Sequence, residues 1–96
     1  MAIEVRQTAT FIRWLEELKD DRAVRIISRR IVRIEGGLLG DVKSFDGIGE
    51  FRIDHGPGYR VYFVQRGNVV IILLCGGDKG SQKADINRAM QMAKEV

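Results

Sequence analysis

Residues 56–80 read GPGYRVYFVQRGNVVIILLCGGDKG, two strands joined by a short turn, and the rest of the fold is arranged around them. In the first of these strands Tyr59, Val61 and Phe63 alternate with Arg60, Tyr62 and Val64, so the two sets project from opposite faces of a sheet. Arg66-Gly67-Asn68 turns the chain, and Val69 to Cys75 follows with an apolar residue at every position. Such a run has no side to give to water, which predicts a central strand covered on both faces. Upstream, His55-Gly56-Pro57-Gly58 is a tight turn out of a strand from Glu50 to Asp54, and Val42 to Phe45 is a further strand before it. The last three strands are expected to pair as an antiparallel meander.

Ahead of the sheet the period changes. Ile3 and Val5 alternate with Glu4 and Arg6 in a short first strand. Thr8 then caps a helix whose Phe11, Trp14, Leu15 and Leu18 form one stripe ending near Lys19. Asp20 and Asp21 open a second helix, in which Ala23, Ile27, Ile31 and Ile34 repeat at helical spacing up to a stop at Gly36-Gly37. After the sheet, Ser81 is expected to cap a last helix that returns Ile86, Ala89, Met90 and Ala93 to the core. The order describes an α+β domain, mainly antiparallel, with an N-terminal helical hairpin packed on one sheet face and a C-terminal helix.

Ninety-six residues are enough for one core and too few for two, so residues 1–96 are read as a single domain. A single cysteine, Cys75, excludes a disulfide framework, and nothing near it offers a zinc-binding spacing, so neither metal nor cofactor is expected. The opening MAIEVRQTATF has neither the basic start nor the apolar stretch of a signal peptide, and no run reaches the roughly 18 apolar residues of a membrane span. A cytoplasmic protein with no membrane contact is the expectation. Its net charge of +3 suits a polyanionic partner without demanding one.

Charge placement says more than charge total. If the Phe51 and Phe63 faces lie under the hairpin, then Arg52, Arg60 and Tyr62 project together on the other side as a basic patch with an aromatic. The second helix carries Arg22, Arg25, Arg29 and Arg33 at spacings of three and four, a basic stripe able to meet RNA phosphates. Structural roles stand beside these. Arg52 can pair with Glu50 or Asp54, Lys79 can cap the turn before the last helix, His55 can be an exposed turn residue, and Tyr59 can pack inward.

GPGYRVYF, the apolar strand and GGDKGSQKADI together resemble the addiction-module killer proteins, the HigB-like subgroup of the RelE-like toxins. The resemblance runs through nearly the whole chain, including Trp14, the Gly36-Gly37 break and the Gly40-Asp41 step. It implies a RelE/ParE-like toxin fold with helices on one sheet face. It also implies metal-independent endoribonuclease cleavage of mRNA in the ribosomal A site, which blocks translation. The partner implied is a cognate acidic antitoxin, a small helix-turn-helix protein, with a toxin–antitoxin heterotetramer as one assembly open to the pair.

RNA cleavage by 2′-hydroxyl attack requires a proton acceptor, cations on the phosphate and a proton donor for the leaving oxygen. By the resemblance, Arg60 takes the place of the main active-site arginine, Arg52 that of a second basic residue, and Lys79 that of a third. The chain departs from the pattern at Gly80-Ser81-Gln82, where a further hydroxyl is usual, at Asp54, where relatives place a lysine, and at Asp85, in place of an aromatic. Asp54, Asp85 and His55 all remain open as proton carriers, His55 because an imidazole titrates near pH ~6.5. Lys43, Tyr62, Ser81 and Gln82 complete the candidate RNA-binding set with the four helical arginines. Two other functions fit the same fold: a ParE-like poison of DNA gyrase with no nuclease activity, and a nucleic-acid or protein interaction module. Falling protein synthesis on expression marks the nuclease, DNA damage signalling the gyrase poison, and unimpaired growth the module.

Overall fold

The computed structural model describes residues 2–96. Strand β1 (Glu4–Gln7) leads into helices α1 (Ala9–Glu17) and α2 (Asp21–Glu35). Strands β2 (Val42–Phe45), β3 (Ile48–Ile53), β4 (Tyr59–Arg66) and β5 (Val70–Gly77) follow, and then helix α3 (Gln82–Ala93). The sheet order is β1-β5-β4-β3-β2. Strands β2 to β5 pair antiparallel in succession, and β1 closes the far edge by running parallel to β5.

The caps explain where the helices begin and end. Thr8 accepts the Phe11 N–H, and Asp20 accepts the Ala23 N–H. At the end of α2, Gly37 adopts φ 96°, its N–H bonding to the Ile34 carbonyl while that of Leu38 bonds to Arg33, which closes the last turn. Strand β3 begins two residues earlier than its apolar pattern suggests. Asp46 and Gly47 both take positive φ, 39° and 91°, the backbone that a two-residue hairpin needs to match the twist of its strands, and pairing starts directly after it.

Two core layers result. The hairpin-side layer contains Phe11, Ile27, Ile31 and Ile34 from the helices, and Phe51, Ile53, Val61, Phe63, Ile71 and Leu73 from the sheet. The other face is not open. Helix α3 lies across it, packing Ala89, Ile86, Met90 and Ala93 on Ile48, Tyr62, Val64, Ile72 and Leu74. Helices therefore cover both faces, which corrects the one-sided arrangement implied by the resemblance. Strand β5, between β1 and β4, is buried along most of its length as its composition predicts. A register shift contributes: Tyr62 faces Cys75 while Phe63 faces Leu73, leaving Leu74 as an extra residue. Leu74 and Cys75 thereby both enter the α3-side layer.

The step into α3 also differs from expectation. Asp78 accepts the N–H groups of Gly80 and Ser81 and caps a single 3-10 turn, Lys79–Ser81. Ser81 makes no side-chain cap for α3; its hydroxyl is shared between Asp85 and the Asp78 carbonyl.

Candidate active site

Strand pairing places two arginines side by side. Arg52 on β3 lies directly opposite Arg60 on β4, and Arg60 in turn lies opposite Gly77 at the end of β5. Lys79 follows two residues after Gly77, so β5 delivers a third cation to the same corner. These three, with Asp41, Ile53, Asp54 and Gly58, line one cleft of about 470 Å³. Like charges across a strand pair repel, so the arrangement requires counter-charge or a bound anion. Asp41 and Asp54 supply part of it at the rim, both exposed.

Arg60 differs from its neighbours. Arg52 and Lys79 are exposed, whereas Arg60 is only 6% exposed and Glu50, beside it, only 1%. The Arg60 Nε stands 3.6 Å from Glu50 Oε2, and its Nη1 donates to the Gly58 carbonyl at 3.0 Å. The Gly56-Pro57-Gly58 turn thus holds the arginine of the strand that follows it. A guanidinium largely withdrawn from water and facing a cleft is screened less, and so acts more strongly on an anion, than one in bulk water.

The remaining candidates separate into groups. Arg29 and Arg33 line an adjoining cleft of about 430 Å³ with Ile26, Arg30, Arg52, Ile53 and Asp54. Arg22 and Arg25 are exposed but line neither cleft. Lys43 is exposed on the edge strand β2, opposite Glu50 in register. His55 points away from the cations: its Nε2 meets Asp20 Oδ2 at 3.1 Å, and the Tyr59 hydroxyl donates to the same oxygen at 3.4 Å. Asp85 is engaged with Ser81, and Gln82 Nε2 donates to Glu50 Oε2 at 3.1 Å. Asp54 is the one of the three proposed proton carriers that lines the cleft.

Tyr62 requires correction. It projects from the expected face, but α3 covers it and its exposure is 0%, so no base can stack on its ring in this conformation. Burial first, and the Glu50 carboxylate second, push its phenol well above the usual range and keep it protonated. The Cys75 thiol is likewise pushed up, to about 11, mainly by burial, which makes it a poor nucleophile.

Sequence reasoning missed Asp41, Arg30 and the pairing of Glu50. The last was within reach, because the alternation that puts Arg52 beside Arg60 puts Glu50 on the same face. Arg30 donates to the Leu39 and Asp41 carbonyls and lies 5.1 Å over the Phe51 ring, so it fastens the loop after α2 to the hairpin side. Among the described residues no group of three or more His, Cys, Asp or Glu is gathered for a metal ion. No helix of the described chain is long and apolar enough to cross a membrane.

Comparison with known proteins adds three findings. A family model described as phage-derived protein Gp49-like (DUF891) matches residues 2–95. An uncharacterized protein of Haemophilus influenzae (strain Rd) is 50% identical over 97 residues, covering 100% of this chain and 98% of that one. The free-state structure of a double arginine-to-alanine variant of E. coli toxin RelE superposes with a TM-score of 0.73, over 95% of this chain and 97% of that chain, at 11% identity. At that identity the likeness is one of fold, and the fold is the one expected from the sequence.

Proposed function

The chain belongs to the phage-derived Gp49-like family, and from that premise we propose that it is the toxin of a bacterial toxin–antitoxin module, acting as a metal-independent endoribonuclease on ribosome-bound mRNA. The shared fold with the E. coli toxin RelE supports the toxin reading. The observation that carries the nuclease reading is the meeting of Arg52, Arg60 and Lys79 in one cleft with Asp54. Strands β3 and β4 and the turn after β5 each contribute one cation to it. The finer placement in the killer-protein subgroup, and the expected partnership with a small helix-turn-helix antitoxin, belong to the same proposal.

The chemistry assigned to the cleft is general acid–base cleavage. Asp54 accepts the proton of an RNA 2′-hydroxyl, and that oxygen attacks the adjacent phosphorus. Negative charge grows on the non-bridging oxygens, where the forked guanidiniums of Arg60 and Arg52 match it and the Lys79 ammonium adds a compact third charge. The 5′-oxygen leaves with a proton taken from Lys79 or solvent. The products are a cyclic phosphate and a free 5′-hydroxyl end.

The test is cleavage of a defined mRNA in a reconstituted translation reaction, with Arg60→Ala alongside and a control without ribosomes. Ribosome-dependent cuts that fall at least about a hundredfold in the variant, equivalent to about 3 kcal/mol of transition-state stabilisation, are expected. No cleavage where a known relative cuts shifts the function to gyrase poisoning or plain binding. Cleavage indifferent to Arg60 removes the cleft from the mechanism.

A further inference from the structure

We propose that Glu50 and Gln82 are the positioning residues of the cleft, fixing the plane of the Arg60 guanidinium and making its alignment depend on the first turn of α3. The kinetic consequence rests on the nuclease reading; the positioning itself does not.

A carboxylate only 1% exposed is expensive to bury, and a buried ion pair contributes little net stability compared with apolar residues of similar size. Its presence on β3 therefore points to a role other than packing. Glu50 faces the inner edge of Arg60, with Oε2 3.6 Å from Nε, while Gly58 accepts Nη1 at 3.0 Å. Contacts on two sides define the orientation of a planar group. Among the described residues no acceptor takes Nη2, and Arg60 lines the cleft, so the remaining donor edge is free for a phosphate.

The pairing is also incomplete. At 3.6 Å the Arg60 Nε makes no hydrogen bond, and Glu50 Oε1 is buried without any partner. What Glu50 Oε2 does hold is the Gln82 amide of α3, at 3.1 Å. The carboxylate is thus shared between a strand arginine and a helix amide, with the buried Tyr62 phenol opposite it in register, whose pKa is raised by burial first and by this carboxylate second. This leaves Arg60 more positive toward a phosphate than a fully bonded pair would, and it ties the carboxylate's position to the seating of α3. Gln82, read from the sequence as an RNA contact, acts inward.

The experiment has two independent arms. In ¹⁵N-labelled protein the Arg60 Nε–Hε resonance is followed for the natural chain, Glu50→Gln and Gln82→Ala, each first checked for a dispersed amide spectrum; Gln82 is half-buried and Glu50 wholly buried, so Gln82→Ala is the milder of the two changes. Positioning predicts a resolved, slowly exchanging signal in the natural chain and exchange about tenfold faster in Gln82→Ala. In the cleavage reaction Gln82→Ala is expected to lower kcat about tenfold with KM within about twofold, and to lower it no further when Arg60→Lys is already present. An Arg60 signal unchanged in a folded variant overturns the proposal, as does an equal further loss in the Arg60→Lys background. If the natural chain does not cleave at all, the nuclease reading fails while the resonance arm still decides the positioning.

Discussion

Two neighbouring residues, Asp54 and His55, are both open as proton carriers in the sequence, with His55 the more attractive, and the turn between β3 and β4 sends them to different sides. Asp54 lines the cationic cleft, while His55 is bound to Asp20 at the cap of α2. Asp54→Asn is therefore expected to slow single-turnover cleavage by about 10²–10⁴, the usual range for a lost acid–base group, with His55→Gln leaving the rate within about twofold. The reverse result would transfer the proton chemistry to the hairpin side. Asp20 has its own pH signature. The Ala23 N–H bond chiefly, opposed by burial and assisted by His55, lowers its carboxyl below the usual value of 3.8. An acid whose folded pKa is depressed adds stability above its unfolded pKa and loses it as pH falls through the folded value. The urea midpoints of the natural chain and Asp20→Ala should differ at pH 7, and that difference should shrink as the pH drops below about 4.

At the scale of elements, the β3–β4 pair is fixed by a close approach. Gly49 lies opposite Phe63, and a Cβ at Gly49 would collide with the Phe63 ring, which is itself buried in the hairpin-side core. Gly49→Ala must displace that ring, and a loss of about 1–3 kcal/mol in chemical denaturation is expected. Gly49→Ala combined with Phe63→Leu should recover part of it. Helical stripes, the caps of α1 and α2 and the covered strand were legible in the sequence because each is set by residues near one another in the chain, whereas the cap expected of Ser81 falls to Asp78. The Asp46-Gly47 hairpin was missed, because alternation alone starts β3 at Glu50, although an Asp-Gly pair between two strands is itself a local hairpin signal. Two features lay beyond local pattern. The spacing of Ile86, Ala89, Met90 and Ala93 shows that α3 has an apolar side but not which sheet face receives it, and so Tyr62 and Glu50 looked exposed. The register shift at Leu74 has no signature in a run that is apolar at every position. In the site, the meeting of Arg52 with Arg60 followed from alternation, whereas Asp41 arrives through the loop after α2, which Arg30 of α2 fastens and whose path no periodicity records.

Over the whole molecule, the clefts join. The cleft of Arg60 and the cleft of Arg29 and Arg33 share Arg52, Ile53 and Asp54, so cations continue from Lys79 across the ends of β4 and β3 onto α2. A continuous basic tract of this kind suits a polyanion longer than the scissile nucleotide, with one part held for chemistry and the rest for register. The two functions should separate kinetically. Reversing charge at Arg29 and Arg33 together is expected to raise KM about tenfold at low salt while kcat at saturation holds, because the reacting phosphate still meets Arg60. The defect should narrow as salt rises, and the slope of log affinity against log salt should flatten by about one for each phosphate that no longer meets an arginine. Arg22 and Arg25, exposed on the same helix but lining neither cleft, provide the control. Reversal there alters net charge equally, so any effect it shares with the first pair measures long-range attraction, and only the excess at Arg29 and Arg33 measures direct binding along the tract. Equal effects from the two pairs would mean that α2 contributes only a diffuse positive field, and the bound polyanion would then be confined to the cleft of Arg52, Arg60 and Lys79.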